Sequence, residues 1–175
     1  MTYLPPKSPS ANATESGAGR ASSAPTNAFR AAGFLLGFGL GGFIDAIVLH
    51  MLLQWHHLIS SRVSMDTLAG LQVNVLADGA FSAGMWLITV VGIGVLWRSA
   101  QKTPTVPLTT SAFVGWILMG WGGFQLFDSI FFHALLGLHH IRHVPNFMVY
   151  DIAFFLLGFG LIGVGYLMTR NQANI

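Results

Sequence analysis

Six of the seven histidines and two of the aspartates occupy matching places in two stretches, Gly37 to His57 and Gly120 to His140. At a constant offset of 83 residues, nine of twenty-one positions are identical. They are Gly37/Gly120, Gly39/Gly122, Asp45/Asp128, Ile47/Ile130, His50/His133, Leu52/Leu135, Leu53/Leu136, His56/His139 and His57/His140. Leucine and isoleucine recur by chance in apolar helices, but one Asp and three His at identical spacing do not. Imidazole and carboxylate are ligands of divalent transition metals and carry protons near neutral pH. The repeat therefore points to metal binding or to a proton path.

A weaker correspondence follows each stretch. Asp78-Gly79-Ala80-Phe81 resembles Asp151-Ile152-Ala153-Phe154, with Asn74 and Asn146 just upstream. Each unit thus contains a His-rich segment and a second segment bearing one more carboxylate.

Composition says where these units reside. Apolar residues make up 53% of the 175-residue chain and charged residues 8%, against about 25% charged in soluble domains. Four stretches reach the roughly 20 apolar residues that a helix needs to cross a bilayer: about 32–57, 75–97, 110–138 and 147–169. The expected fold is all-α: a four-span transmembrane bundle of two tandem two-helix repeats, with pseudo-two-fold symmetry along the membrane normal. Residues 1–30, rich in Ser, Ala, Pro and Gly, read as a disordered tail, 31–170 as the membrane domain and 171–175 as a C-terminal tail. The tail lacks the apolar core of a signal peptide, and its Asn12-Ala13-Thr14 sequon carries little weight. In the first loop, Ser64 before Met65-Asp66-Thr67 suggests the N-cap of a short surface helix.

Charge sets the orientation. Lys7, Arg20, Arg30, Arg98, Lys102 and Arg170 fall on one side, and Arg62 and Arg142 on the other, so both termini are expected in the cytoplasm. Scattered basic residues and a net charge of +2 give no footprint for nucleic acid. The chain has no cysteine, which excludes disulfides, thiolate sites and a cysteine nucleophile.

A continuous α-helix would set His56, His57 and His50 at about 20, 120 and 140 degrees from Asp45, one arc that must face the bundle interior. Rise along the helix places His50 about 10 Å and Asp45 about 18 Å below His57. From this, His50, His133, Asp78 and Asp151 form one expected tier. His56, His57, His139 and His140 form a second nearer the outer face, with His143 beside it. Asp45 and Asp128 lie deeper, as relay or structural groups. Such ligands suit Fe, Mn, Zn or Cu(II); bis-histidine haem is a lesser alternative. Interfacial anchoring of the His-His pairs, a buried polar network and a proton or ion pathway compete with the metal reading. So does a passive role in a membrane complex or homo-oligomer.

Two G-x-G-x-x-G matches, at Gly37 and Gly158, follow no strand and read as helix-packing seams. Gly33, Gly37 and Gly41 extend the first at four-residue spacing. Trp55, Trp97 and Tyr150 fit an interfacial aromatic belt. The H-x5-H-H spacing differs from the H-x3-H and H-x2-H-H of membrane di-iron hydroxylases, so the reading leans away from catalysis.

The runs Gly-Gly-Phe-Ile-Asp-Ala-Ile-Val-Leu-His, Leu-Gln-Trp-His-His, Ala-Asp-Gly-Ala-Phe and Leu-Leu-Gly-Leu-His-His-Ile-Arg resemble the bacterial predicted membrane proteins grouped as domain of unknown function 2243. The resemblance covers nearly all of 32–169 and implies a small four-span protein of the bacterial cytoplasmic membrane, with no activity attached. Two positions depart from the family pattern: Ser82 follows the Asp-Gly-x-Phe motif and Ala134 follows His133 where histidines are frequent.

Overall fold

The computed structural model describes residues 23–103 and 105–170. The sequon at Asn12, Lys7, Arg20, Pro104 and the tail 171–175 lie outside the described residues. Among the described residues four α-helices run in chain order: α1 (Ser23–Asp45), α2 (Leu68–Lys102), α3 (Thr110–Asp128) and α4 (Phe147–Arg170). α1 and α3 each continue into a π-helical turn, Ala46–Leu52 and Ser129–Leu135. Among the described residues there is no strand.

Local chemistry explains the boundaries. Thr67 and Thr109 are extended residues whose side chains accept hydrogen bonds from Gly70 N–H and Ala112 N–H, capping α2 and α3. Ser64 is not the cap: its hydroxyl donates to Asp66 and accepts from the Asp66 N–H, closing a tight turn where a short surface helix was expected. α1 starts at Ser23, inside the stretch read as a tail, and the first His-rich helix ends at Leu52 instead of His57.

Among the described residues three helical segments are long and apolar enough to cross a membrane: Thr26–Leu52, Leu68–Lys102 and Phe147–Arg170. α3 falls short in hydropathy because Trp116, Trp121, Gln125, Asp128 and four glycines interrupt its apolar run. α3 packs on α1 and α4, and α1 in turn on α2, so α1 and α3 are the two inner helices. α4 exposes most of its apolar surface, as a lipid-facing helix does.

Glycine makes the central contacts close. A Cβ at Gly37 would collide with the Ile117 carbonyl, and one at Gly120 with the Phe34 carbonyl, so the α1 and α3 backbones meet directly. Gly115 and Gly122 meet Gly165 and Gly158 in the same way, joining α3 to α4. At the His-rich end, Phe81, Met85 and Phe124 form a buried layer with Phe38, Phe132 and Phe154 around it. The polar cluster sits on this layer.

Candidate metal centre

The π turns decide which side chains meet. Leu53 N–H bonds to Val48 C=O at 2.8 Å and Leu136 N–H to Phe131 C=O at 2.9 Å, both five residues back. A turn closed at this spacing sets residues five apart nearly above one another, where an α-helix would splay them. Asp45 and His50 are such a pair, as are Asp128 and His133. His50 Nε2 lies 3.2 Å from Asp45 Oδ2, and His133 Nε2 lies 2.9 Å from Asp128 Oδ2.

Past each π turn the chain reverses. Gln54 has φ of 49° and Gly137 has φ of 54°, the left-handed conformation, and these residues are 83 apart. The reversal carries His56 and His139 back over the ends of their own helices. Two groups of buried ligand atoms result, Asp45 with His50 and His56, and Asp128 with His133 and His139, each with its atoms within 4.8 Å of one another. The grouping differs from the tiers drawn from helical rise, because that spacing required the helix to continue to His57.

His56 and His139 also lock the units together. His56 Nδ1–H donates to the Ile141 carbonyl at 3.0 Å and His139 Nδ1–H to the Leu58 carbonyl at 2.9 Å. Their rings stack 4.6 Å apart at 7°. With Nδ1 so engaged, the remaining lone pair of each ring is on Nε2, directed inward. Burial pushes the His56 imidazole well below its ordinary titration range, with His139 and His50 adding to the effect.

Asp78 stands behind His50. Its carboxylate accepts from His50 Nδ1–H at 2.8 Å, from His57 Nδ1–H at 2.5 Å and from Leu58 N–H at 2.8 Å. Asp151 accepts from His140 Nδ1–H at 2.7 Å and from Ile141 N–H at 2.9 Å, and its other contact is His133 Nδ1 at 3.2 Å. These two carboxylates orient imidazoles, and His57 and His140 bind the carboxylates, outside the converging groups. Phe81 and Phe154, three residues after each Asp, stack on His50 and His133 at 5.9 and 6.1 Å. His143, exposed, pairs with Ser60 Oγ at 2.7 Å, and partial desolvation together with His140 and His139 lowers its titration range. Trp55 does more than anchor: its ring meets Tyr150, and Arg142 lies over both.

The sequence had assigned Asp45 and Asp128 the outlying role; the structure brings them into the groups. The signal for the rest was the offset of 83, which also pairs Leu58 with Ile141 and Gln54 with Gly137. Phe81 and Phe154 could have been found from the repeated Asp-x-Ala-Phe spacing. At the two departures from the family pattern, Ser82 has a buried hydroxyl with no hydrogen-bond partner in the protein, and Ala134 is exposed.

Eight polar atoms of the two groups are buried without a hydrogen bond: both Asp45 oxygens, Asp128 Oδ2, both nitrogens of His133, and Nε2 of His50, His56 and His139. An unmet buried group costs about 1 to 3 kcal/mol, so together they rival the roughly 5 to 15 kcal/mol by which a domain is stable. With the His50 ring neutral, its Nε2 and Asp45 Oδ2 face each other as two acceptors at 3.2 Å and repel. A cation between them removes both penalties.

An all-helical membrane protein with carboxylates and imidazoles gathered in its interior is what these elements build. The profile of the family described as predicted membrane protein (DUF2243) matches residues 32–172, and the chain belongs to that family. No curated protein and no solved structure matches it.

Proposed function

We propose that this chain is a four-span metal-binding protein of the bacterial cytoplasmic membrane, holding two divalent ions side by side. Asp45, His50 and His56 bind one, and Asp128, His133 and His139 the other. α3 with its π turn supplies the fourth span. The two units are related by a two-fold axis along the membrane normal, as the reciprocal His56 and His139 bonds suggest. Two imidazoles and one carboxylate per ion suit Fe(II), Mn(II) or Zn(II) better than copper. The carrying observation is the convergence of buried, unpartnered ligand atoms, with His50 held from behind by a carboxylate and His56 and His139 by carbonyls, the outer shell a metal-binding histidine needs, and with the Asp151 carboxylate 3.2 Å behind His133.

Haem fits less well. The glycine seam that could have offered a flat slot is filled by direct contact of the α1 and α3 backbones. One observation favours a second reading, proton conduction: His57, Asp78 and His50 are hydrogen-bonded in series at 2.5 and 2.8 Å, and Asp45 lies 3.2 Å beyond His50.

Elemental analysis of the detergent-purified chain tests the metal reading. Two ions per chain are expected, and stoichiometric absence of transition metal after metal-supplemented expression sinks it. Proton flux into liposomes above protein-free leakage, with no metal bound, would establish the second reading instead. Both termini and Arg98 are placed in the cytoplasm, with Arg62 and Arg142 outside. Since the chain has no cysteine, Arg62→Cys and Arg98→Cys labelled by an impermeant maleimide in intact spheroplasts check this: only the first should react.

A further inference from the structure

The two halves differ in how they meet the lipid. α2 begins at Leu68, ten residues before Asp78, whereas α4 begins at Phe147, four residues before Asp151. The first unit is therefore roofed by about 9 Å more helix, and the Asn74 side chain ties that helix to the Val63 carbonyl of the preceding loop at 2.9 Å. The second unit lacks this cover: side-chain exposure is 29% for His140 and 18% for Asp151, against 8% for His57 and 5% for Asp78.

An open groove of about 400 Å³ occupies the uncovered place, between the second π turn and α4. Its walls are apolar, with Ile130, Met148, Ile152 and Phe155, and Ala134 leaves room where the offset of 83 puts Met51 in the first unit. Its polar lining is Ser129, His133, His140 and Asp151; Ser129 and His133 are both more than nine-tenths buried, with the Ser129 hydroxyl and both His133 ring nitrogens lacking a hydrogen-bond partner in the protein. The first unit has Ala46 in place of Ser129.

We infer that this groove binds a lipid-soluble molecule with an apolar body and a single hydrogen-bonding oxygen head, of the alkylphenol type, which enters sideways from the bilayer. The head lies against Ser129 and His133, beside the second metal position, so its bearing on the metal rests on the reading above. A lipid acyl chain alone would leave the Ser129 hydroxyl unmet, at a cost that a hydroxyl head removes. The volume falls in the range of small-molecule sites, about 300 to 1,000 Å³.

The test uses the full chain in phosphatidylcholine nanodiscs and a diazirine-bearing alkylphenol, with labelled residues located by mass spectrometry. Label should concentrate on 129–134 and the first turns of α4, and excess 4-octylphenol should displace it while octylbenzene does not. Ser129→Ala, which installs the residue found at the matching place of the first unit, should weaken displacement by roughly tenfold, the loss of one hydrogen bond. Ala134→Trp should block labelling at unchanged metal content. Labelling spread evenly over α2 and α4, or equal displacement by octylbenzene, overturns the inference. Metal content is measured on the same samples: metal without groove labelling sinks the groove alone, and groove labelling without metal sinks the metal reading alone.

Discussion

Asp45 Oδ2 and His50 Nε2 lie 3.2 Å apart without a hydrogen bond between them, a proximity imposed by the π turn that joins the two residues. His50 Nδ1–H is committed to Asp78, so the nitrogen facing Asp45 carries a lone pair unless the ring is charged. A carboxylate and a lone pair held this close call for a cation. Asp45→Asn with His50→Ala should halve the metal content, and Asp128→Asn with His133→Ala should remove the other half. Plasma emission spectrometry of each purified variant checks this, and a loss of all metal from either pair alone would mean one shared ion.

Asp78 contributes differently. It touches no converging ligand atom but holds His50, His57 and Leu58 N–H together. Asp78→Asn keeps the shape and weakens the acceptor. Metal stoichiometry at saturation should stay unchanged while affinity falls about 10- to 100-fold, the usual effect of an outer-shell carboxylate. Competition with a chromophoric chelator measures it.

The left-handed residues give a stability test independent of metal. Gln54 occupies φ of 49°, where a side chain costs about 1 to 2 kcal/mol, while its counterpart at φ of 54° is Gly137. Gln54→Gly should raise the Tm slightly, the relieved strain being partly offset by the greater freedom of glycine in the unfolded chain. Gly137→Ala should lower stability by about 1 kcal/mol. Its Cβ would meet only the Arg62 guanidinium at 3.4 Å, so the cost is conformational and not steric. Thermal melts in detergent decide both signs.

Much of this was legible because lipid punishes stray ionisable groups. The duplicated Asp and His positions had to face inward, and the helices α3 and α4 start where the apolar runs start, at Thr110 and Phe147. The grouping within the site was not legible. Periodicity arguments assume an α-helix, and Ala46–Leu52 reads as apolar helix in either form, so nothing in Ile47, Val48 or Leu49 announces a π turn. Nor does Gln54 announce a left-handed residue; only its alignment with Gly137 hints at one. α1 begins early because Ala28, Phe29 and Ala32 supply a helical stripe whose Phe29 and Ala32 are buried, which the polar composition around them masked.

The glycine seam supplies a contrast between identical substitutions. A Cβ at Gly120 would fall on the Phe34 carbonyl, and backbone in a packed helix cannot retreat as a flexible side chain can. Gly160, also within a helix, has nothing within 4 Å of where its Cβ would be. Gly120→Ala should therefore separate α1 from α3, at an overpacking cost of about 1 to 3 kcal/mol or more. Gly160→Ala should be neutral or stabilising by up to about 1 kcal/mol through helix propensity. Because α1 and α3 carry the two ligand groups, the first variant should also lose metal as the His56 and His139 rings lose their reciprocal carbonyl bonds. Size-exclusion profile, melting temperature and metal content of the two variants, measured side by side, test the seam. If Gly120→Ala melts like the parent and keeps its metal, the direct α1 and α3 backbone contact is not what positions the site.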